Sequence, residues 1–124
     1  MQIKLYRAIQ ENNYYFKGYG KAEEIARIFS KNNFSEETLK KATIHRSVME
    51  QGISPFTVTL RMEPETKKEV YEEETIFTGE VCQICNGASK IAALCQMKEE
   101  EINDGIITIN LFLATEEKMK EIMG

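Results

Sequence analysis

Cys82-Gln83-Ile84-Cys85 is the short motif in this sequence whose spacing chemistry uses. Two thiols at that spacing near a helix N-terminus gain thiolate character from the helix dipole, and can work as a redox pair. Thr78 reads as the N-cap of a helix that continues through Val81, Ile84, Cys85, Ala88, Ile91, Ala92 and Cys95 at helical spacing. Cys82 would then lie about one turn inside it. A thioredoxin-like fold also needs a proline after the motif, beside the sulfurs, and both Pro55 and Pro64 precede it. The preferred reading is therefore packing. Cysteine is among the most buried residue types, and Cys85 and Cys95 occupy the expected core stripe, with Cys82 off it. Three cysteines without an export signal also argue against a disulfide framework.

Zinc is the other use of such a pair. His45 is the single histidine, and His45, Cys82 and Cys85 together resemble the ligand set of cytidine-deaminase-like enzymes. That resemblance implies a zinc-dependent hydrolytic site. Two positions depart from the family pattern: Ser47 stands where the family has its proton-shuttling glutamate, and Val81 stands where it has proline. A zinc-bound water would lack its base. Cys95 does not complete a site either, since ten residues of straight helix separate it from Cys85 by ~15 Å. A CxxC enzyme, zinc-dependent or dithiol, is thus the alternative. The leading reading has no catalytic residues and no cofactor. Gly79 and Gly87 lack the spacing and the following Gly-Lys-Ser/Thr of a phosphate loop.

The second chemically suggestive cluster lies near the N-terminus. Tyr6, Tyr14, Tyr15, Phe16 and Tyr19 are five of the eleven aromatic residues, and Lys17, Lys21 and Arg27 accompany them. Aromatic faces beside cations can stack a base and neutralise a phosphate. Gly18 and Gly20 would let backbone approach a ligand. Tyr14, Tyr15, Phe16, Tyr19, Lys17, Lys21 and Arg27 are therefore the candidate ligand-binding residues. Plain core packing and protein contact compete for the same aromatics.

The elements that must position these groups follow from periodicity. Met1–Ile9 alternates as a strand, with Ile3 and Leu5 on one face. Glu11-Asn12-Asn13 is a turn, and Tyr14-Tyr15-Phe16 returns as a strand stopped by Gly18 and Gly20. Lys21–Lys31 carries a helical stripe of Ala22, Ile25, Ala26 and Phe29. Ser35 caps a second helix running to about Glu50, with Phe34 and Leu39 spaced as a hydrophobic staple. That helix is apolar on two sides, with Leu39, Ala42 and Met49 on one and Ile44 and Val48 on another. Such a helix is either deep in a core or shared with a partner chain. Phe56–Met62 alternates and is expected to form a hairpin with Val70–Thr78, whose Glu72, Glu73 and Glu74 suit an edge strand. After the CxxC helix and a turn at Asn103-Asp104-Gly105, Ile106–Ala114 is apolar on both faces, as a central strand is. Thr115 caps a final short helix. The expected fold is a single α+β domain over residues 1–124, a mostly antiparallel sheet packed against helices in the order β(β)ααββαβα.

Composition narrows the function classes. The chain has 124 residues and a formal charge of -4. Ten basic against six acidic residues fall in Met1–Met62, and six against fourteen in Glu63–Gly124. An acidic whole argues against general nucleic-acid binding. A basic half can hold one small anion, or meet the acidic half of another copy. No apolar run approaches a membrane span, and Lys4 and Arg7 interrupt the N-terminal apolar stretch, so a cytoplasmic location is expected. The composition is compatible with a bacterial or phage accessory protein. The expectation is a non-enzymatic binding or regulatory protein acting as a homo-oligomer, its partner being a protein or a small anionic, nucleotide-like ligand.

Overall fold

A computed structural model describes residues 1–102 and 104–124. Asn103, part of the expected Asn103-Asp104-Gly105 turn, lies outside the described residues. The elements run β1 (Gln2–Asn12), β2 (Tyr15–Lys21), α1 (Ala22–Ile28), α2 (Glu36–Met49), β3 (Thr57–Met62), β4 (Lys67–Val70), β5 (Glu74–Thr78), β6 (Val81–Asn86), α3 (Ala88–Gln96), α4 (Glu99–Ile102), β7 (Ile106–Leu113) and α5 (Glu116–Met123). Among the described residues, all seven strands join one sheet in the order β4-β5-β1-β2-β7-β3-β6. Every pairing is antiparallel except β3 with β7. The α+β class and the mostly antiparallel sheet are as expected, and the order holds with β4, β6 and α4 added. No helix among the described residues is long and apolar enough to cross a membrane.

The alternation along the strands decides which face is covered. Ile3, Leu5, Phe16, Phe77, Val58, Leu60, Met62, Ile107, Ile109 and Leu111 are buried on one face. They meet Ile25 of α1 and its C-cap Phe29, Ala42 and Met49 of α2, and Ile91 and Leu94 of α3 in one continuous core. The other face carries the polar partners: Lys17, Tyr19, Thr57, Thr108 and Asn110. Two helix starts are capped as their residue types require. Ser35 Oγ accepts from the Thr38 N–H at 3.1 Å, and Thr115 Oγ1 accepts from the Lys118 N–H at 3.1 Å.

Three expectations fail. Phe56–Met62 does not pair with Val70–Thr78. β3 lies between β7 and β6, while β4 and β5 form their own hairpin at the opposite end of the sheet. Glu72 and Glu73 sit in that hairpin's turn, not mid-strand. The CxxC segment is also not helical. Val81–Asn86 is a strand, and α3 starts only at Ala88 with Gly87, not Thr78, as N-cap. Gly87 takes φ 91, and a Cβ there would come within 2.8 Å of Val58 Cγ1. The glycine therefore ends the strand and starts the helix, because an L side chain resists this conformation. Finally, Gly18 and Gly20 do not stop β2. The strand continues through them to Lys21, with both glycines on the covered face.

Candidate ligand groove

A one-residue irregularity in β1 shapes the uncovered face. Tyr6 pairs with Tyr19, but Ile9 pairs with Lys17, so three steps on β1 match two on β2. Arg7 absorbs the extra residue at φ 53, the left-handed region that costs an arginine conformational energy. Without this bulge, Arg7 would fall in phase with Ile3 and Leu5 and point into the core. Gly18 sits opposite, where a Cβ would lie 3.1 Å from Leu5 Cβ and 3.2 Å from Ala8 Cα. The close approach that glycine permits here is thus to β1, and the bulge rotates Arg7 and Ile9 to the open side.

Two adjoining cavities result. The first, about 440 Å³, is lined by Arg7, Ile9, Lys17, Gly18, Tyr19, Thr57, Thr108 and Asn110. The second, about 470 Å³, is lined by Tyr6, Arg7, Tyr19, Glu73 and Ile106. Arg7 and Tyr19 belong to both and form the divide between them. Among the described residues neither Arg7 nor Lys17 has an acidic partner within ion-pair distance. The first cavity therefore holds two cations outside any ion pair beside hydroxyl and amide groups, and Tyr19, 49 % exposed, lines it with them. Tyr6 is fixed differently. Its hydroxyl donates to Glu24 Oε1 at 2.9 Å, and Lys21 Nζ lies 5.2 Å from its ring centre. Burial first, then the Glu24 carboxylate, pushes the Tyr6 phenol up to about 12, so it stays neutral at physiological pH.

The seven residues expected to bind ligand divide. Lys17 and Tyr19 line the groove. Lys21 reaches its border through Tyr6. Tyr15 is on the same strand face but already engaged, stacked on Phe112 at 4.5 Å with its hydroxyl donating to Asn110 Oδ1 at 3.1 Å. Tyr14 is farther out, under Lys118 Nζ at 5.2 Å. Phe16 corrects the expectation outright. It is 4 % exposed and packs edge-on to Phe77 with ring centres 5.0 Å apart, so no ligand reaches it. Arg27 is also away from the groove, on α1, 3.4 Å from Glu99. Arg7, Thr57, Thr108, Asn110, Glu73 and Ile106 also line the two cavities, outside the residues that the sequence marks as ligand-binding. Arg7 did carry a signal, as a charge at an apolar phase of β1.

The cysteine alternative loses its geometry. Cys82 and Cys85 are on strand β6, where three residues span about 10 Å, whereas a disulfide needs Cα atoms within about 7 Å. The β3–β6 register skips one residue of β6 at each of two irregularities, and the skipped residues are Cys85 and Cys82. His45 lies in α2, and no group of three or more His, Cys, Asp or Glu side chains able to hold a metal forms among the described residues. The thiols are also the reverse of activated. Burial and then Glu63, 3.5 Å from Cys82 Sγ, raise the Cys82 pKa; burial raises that of Cys85 and pushes Cys95 up to about 11. No family model, curated protein or solved structure matches the chain.

Proposed function

We propose that this protein is a small non-enzymatic binding module that holds a nucleotide-like anion in the groove on its uncovered sheet face. The observation that carries the reading is one cavity lined by Arg7 and Lys17, neither in an ion pair among the described residues, together with the half-exposed Tyr19. Cations in a walled groove concentrate an anion, and an aromatic face next to them takes a flat ring. The cavity volume falls in the range of small-molecule sites. Titration calorimetry with nucleoside 5′-monophosphates tests it. Lys17→Ala and Tyr19→Ala are each expected to weaken binding about tenfold, the worth of one charge-assisted contact or one stacked base. Both side chains are exposed, so melting temperature should hold. Arg27→Ala, outside the groove, should bind as the parent does. Absence of binding at millimolar ligand, or equal loss in Arg27→Ala, defeats the proposal.

A second reading, self-association, has its own support. Ile44 and Val48 are 68 % and 66 % exposed one turn apart on α2. They are the second apolar side that the sequence shows, and α2 is not deep in the core. Light scattering is expected to give a multiple of the chain mass, with Ile44→Glu reducing it to a single chain. A parent protein that is already a single chain at 100 µM (on the order of ordinary assay concentrations for weak pairs) removes this reading.

A further inference from the structure

The two cavities differ in chemistry, and the difference orients a ligand. The first offers Arg7 and Lys17 with no carboxylate, so it takes the anionic end. The second offers the Tyr6 and Tyr19 rings, Ile106, and one acid, Glu73. Among the described residues the Glu73 carboxylate has no ion pair and no hydrogen bond. Its backbone is anchored, because the Glu73 carbonyl accepts from the Arg7 N–H at 3.1 Å. The bulge that turns Arg7 outward thus also holds the β4–β5 turn against the groove.

An acid that shares a cavity with aromatic rings invites a cation, but this cavity is poorly made for one. Arg7 lines it, and Lys21 Nζ already occupies the Tyr6 ring at 5.2 Å. A phosphate is repelled by Glu73. What remains is a neutral, flat group that presents hydrogen-bond donors at its edge. Resting on the nucleotide-groove reading, we infer that the second cavity reads the base and that Glu73 selects guanine. Guanine's pairing edge carries N1–H and N2–H side by side, and a carboxylate accepts both in parallel. Adenine and cytosine each set one amino donor beside a ring-nitrogen acceptor, which faces the carboxylate unfavourably. Uracil sets its single N–H between two carbonyls. Tyr19, shared by both cavities, supplies the face on which the ring lies, and Arg7 bridges toward the phosphate.

Titration with guanosine 5′-monophosphate, adenosine 5′-monophosphate and inorganic phosphate tests this on the full chain. The guanine nucleotide is expected to bind about tenfold more tightly than the adenine nucleotide, a charge-assisted pair's worth. Glu73→Gln should erase that ratio mainly by weakening the guanine ligand, while the melting temperature of this exposed-turn variant stays unchanged. Equal affinity for both nucleotides, with loss in Lys17→Ala, overturns the guanine assignment and leaves the groove reading standing. A guanine preference that survives Glu73→Gln overturns the role of Glu73. Phosphate binding as tightly as either nucleotide reduces the site to an anion hole and overturns the inference. If none of the three binds, both readings fall.

Discussion

Phe16→Ala is expected to cost about 3–5 kcal/mol of folding stability, the range for truncating a buried aromatic. Its ring lies on the covered face between Phe77 and the neighbouring strands, and Lys68 Nζ rests 4.9 Å from its centre. Leu111 is its cross-strand partner, so the deletion opens a cavity on the covered face between β2, β5 and β7. Most of that loss comes from the cavity and the lost apolar burial; the edge-on pair with Phe77 contributes about 1 kcal/mol. Tyr19→Ala should cost far less stability, and yet, under the proposed function, be the one of the two that weakens ligand. The contrast follows from a strand period of two, since residues 16 and 19 must point to opposite faces. Urea unfolding of both variants beside the parent measures it. A Phe16→Ala midpoint within error of the parent would contradict the packing, and a Tyr19→Ala loss as large as that of Phe16→Ala would place Tyr19 in the core as well.

Much of this fold is legible in the residues, because one period dominates each element. Ile107, Ile109, Leu111 and Leu113 alternate without a break, and the strand they form is internal to the sheet, as apolar residues on both faces require. Ser35 and Thr115 announce their helices because a hydroxyl before an acidic first turn has few other uses. The failures share a cause. Val81 through Cys95 satisfies helical spacing, but a short apolar stretch satisfies strand spacing too, and only the backbone at Gly87 separates the two elements. Strand partners were equally hidden. β3 finds β7 across a long stretch of chain, and nothing local in either strand encodes that choice. The groove was half legible. Aromatics and cations near the N-terminus marked β2, but face assignment within the run needed the register that the Arg7 bulge sets. Thr57, Thr108, Asn110 and Glu73 reach the groove through tertiary pairing alone, and as single polar residues in strands or turns they carry no pattern of their own.

Arg61→Ala is expected to lower stability by about 3 kcal/mol, the scale of removing one member of a buried charged network. Arg61 is 7 % exposed, on the same sheet face as the groove. Its Nε donates to Gln83 Oε1 at 3.2 Å, and its Nη1 donates to the Ala114 carbonyl at 3.0 Å and reaches Glu63 Oε1 at 3.4 Å. One side chain therefore ties β3 to the bulged edge strand β6 and to the residue just before the cap of α5. Removing it leaves the Ala114 carbonyl buried without this partner. Glu63 is about half exposed and regains water, which keeps the loss below that of stranding a fully buried acid. Arg61→Met separates the contributions. It restores most of the stem's packing but none of the hydrogen bonds, so it should recover only part of the loss. Hydrogen exchange gives the finer reading. Faster exchange confined to β6 and the start of α5 identifies Arg61 as their tie. Exchange that rises evenly across the sheet would mean that its packing, rather than those bonds, carries the effect. The nucleotide binding proposed for the groove should survive in the folded fraction of either variant, because Arg61 lines neither of its cavities.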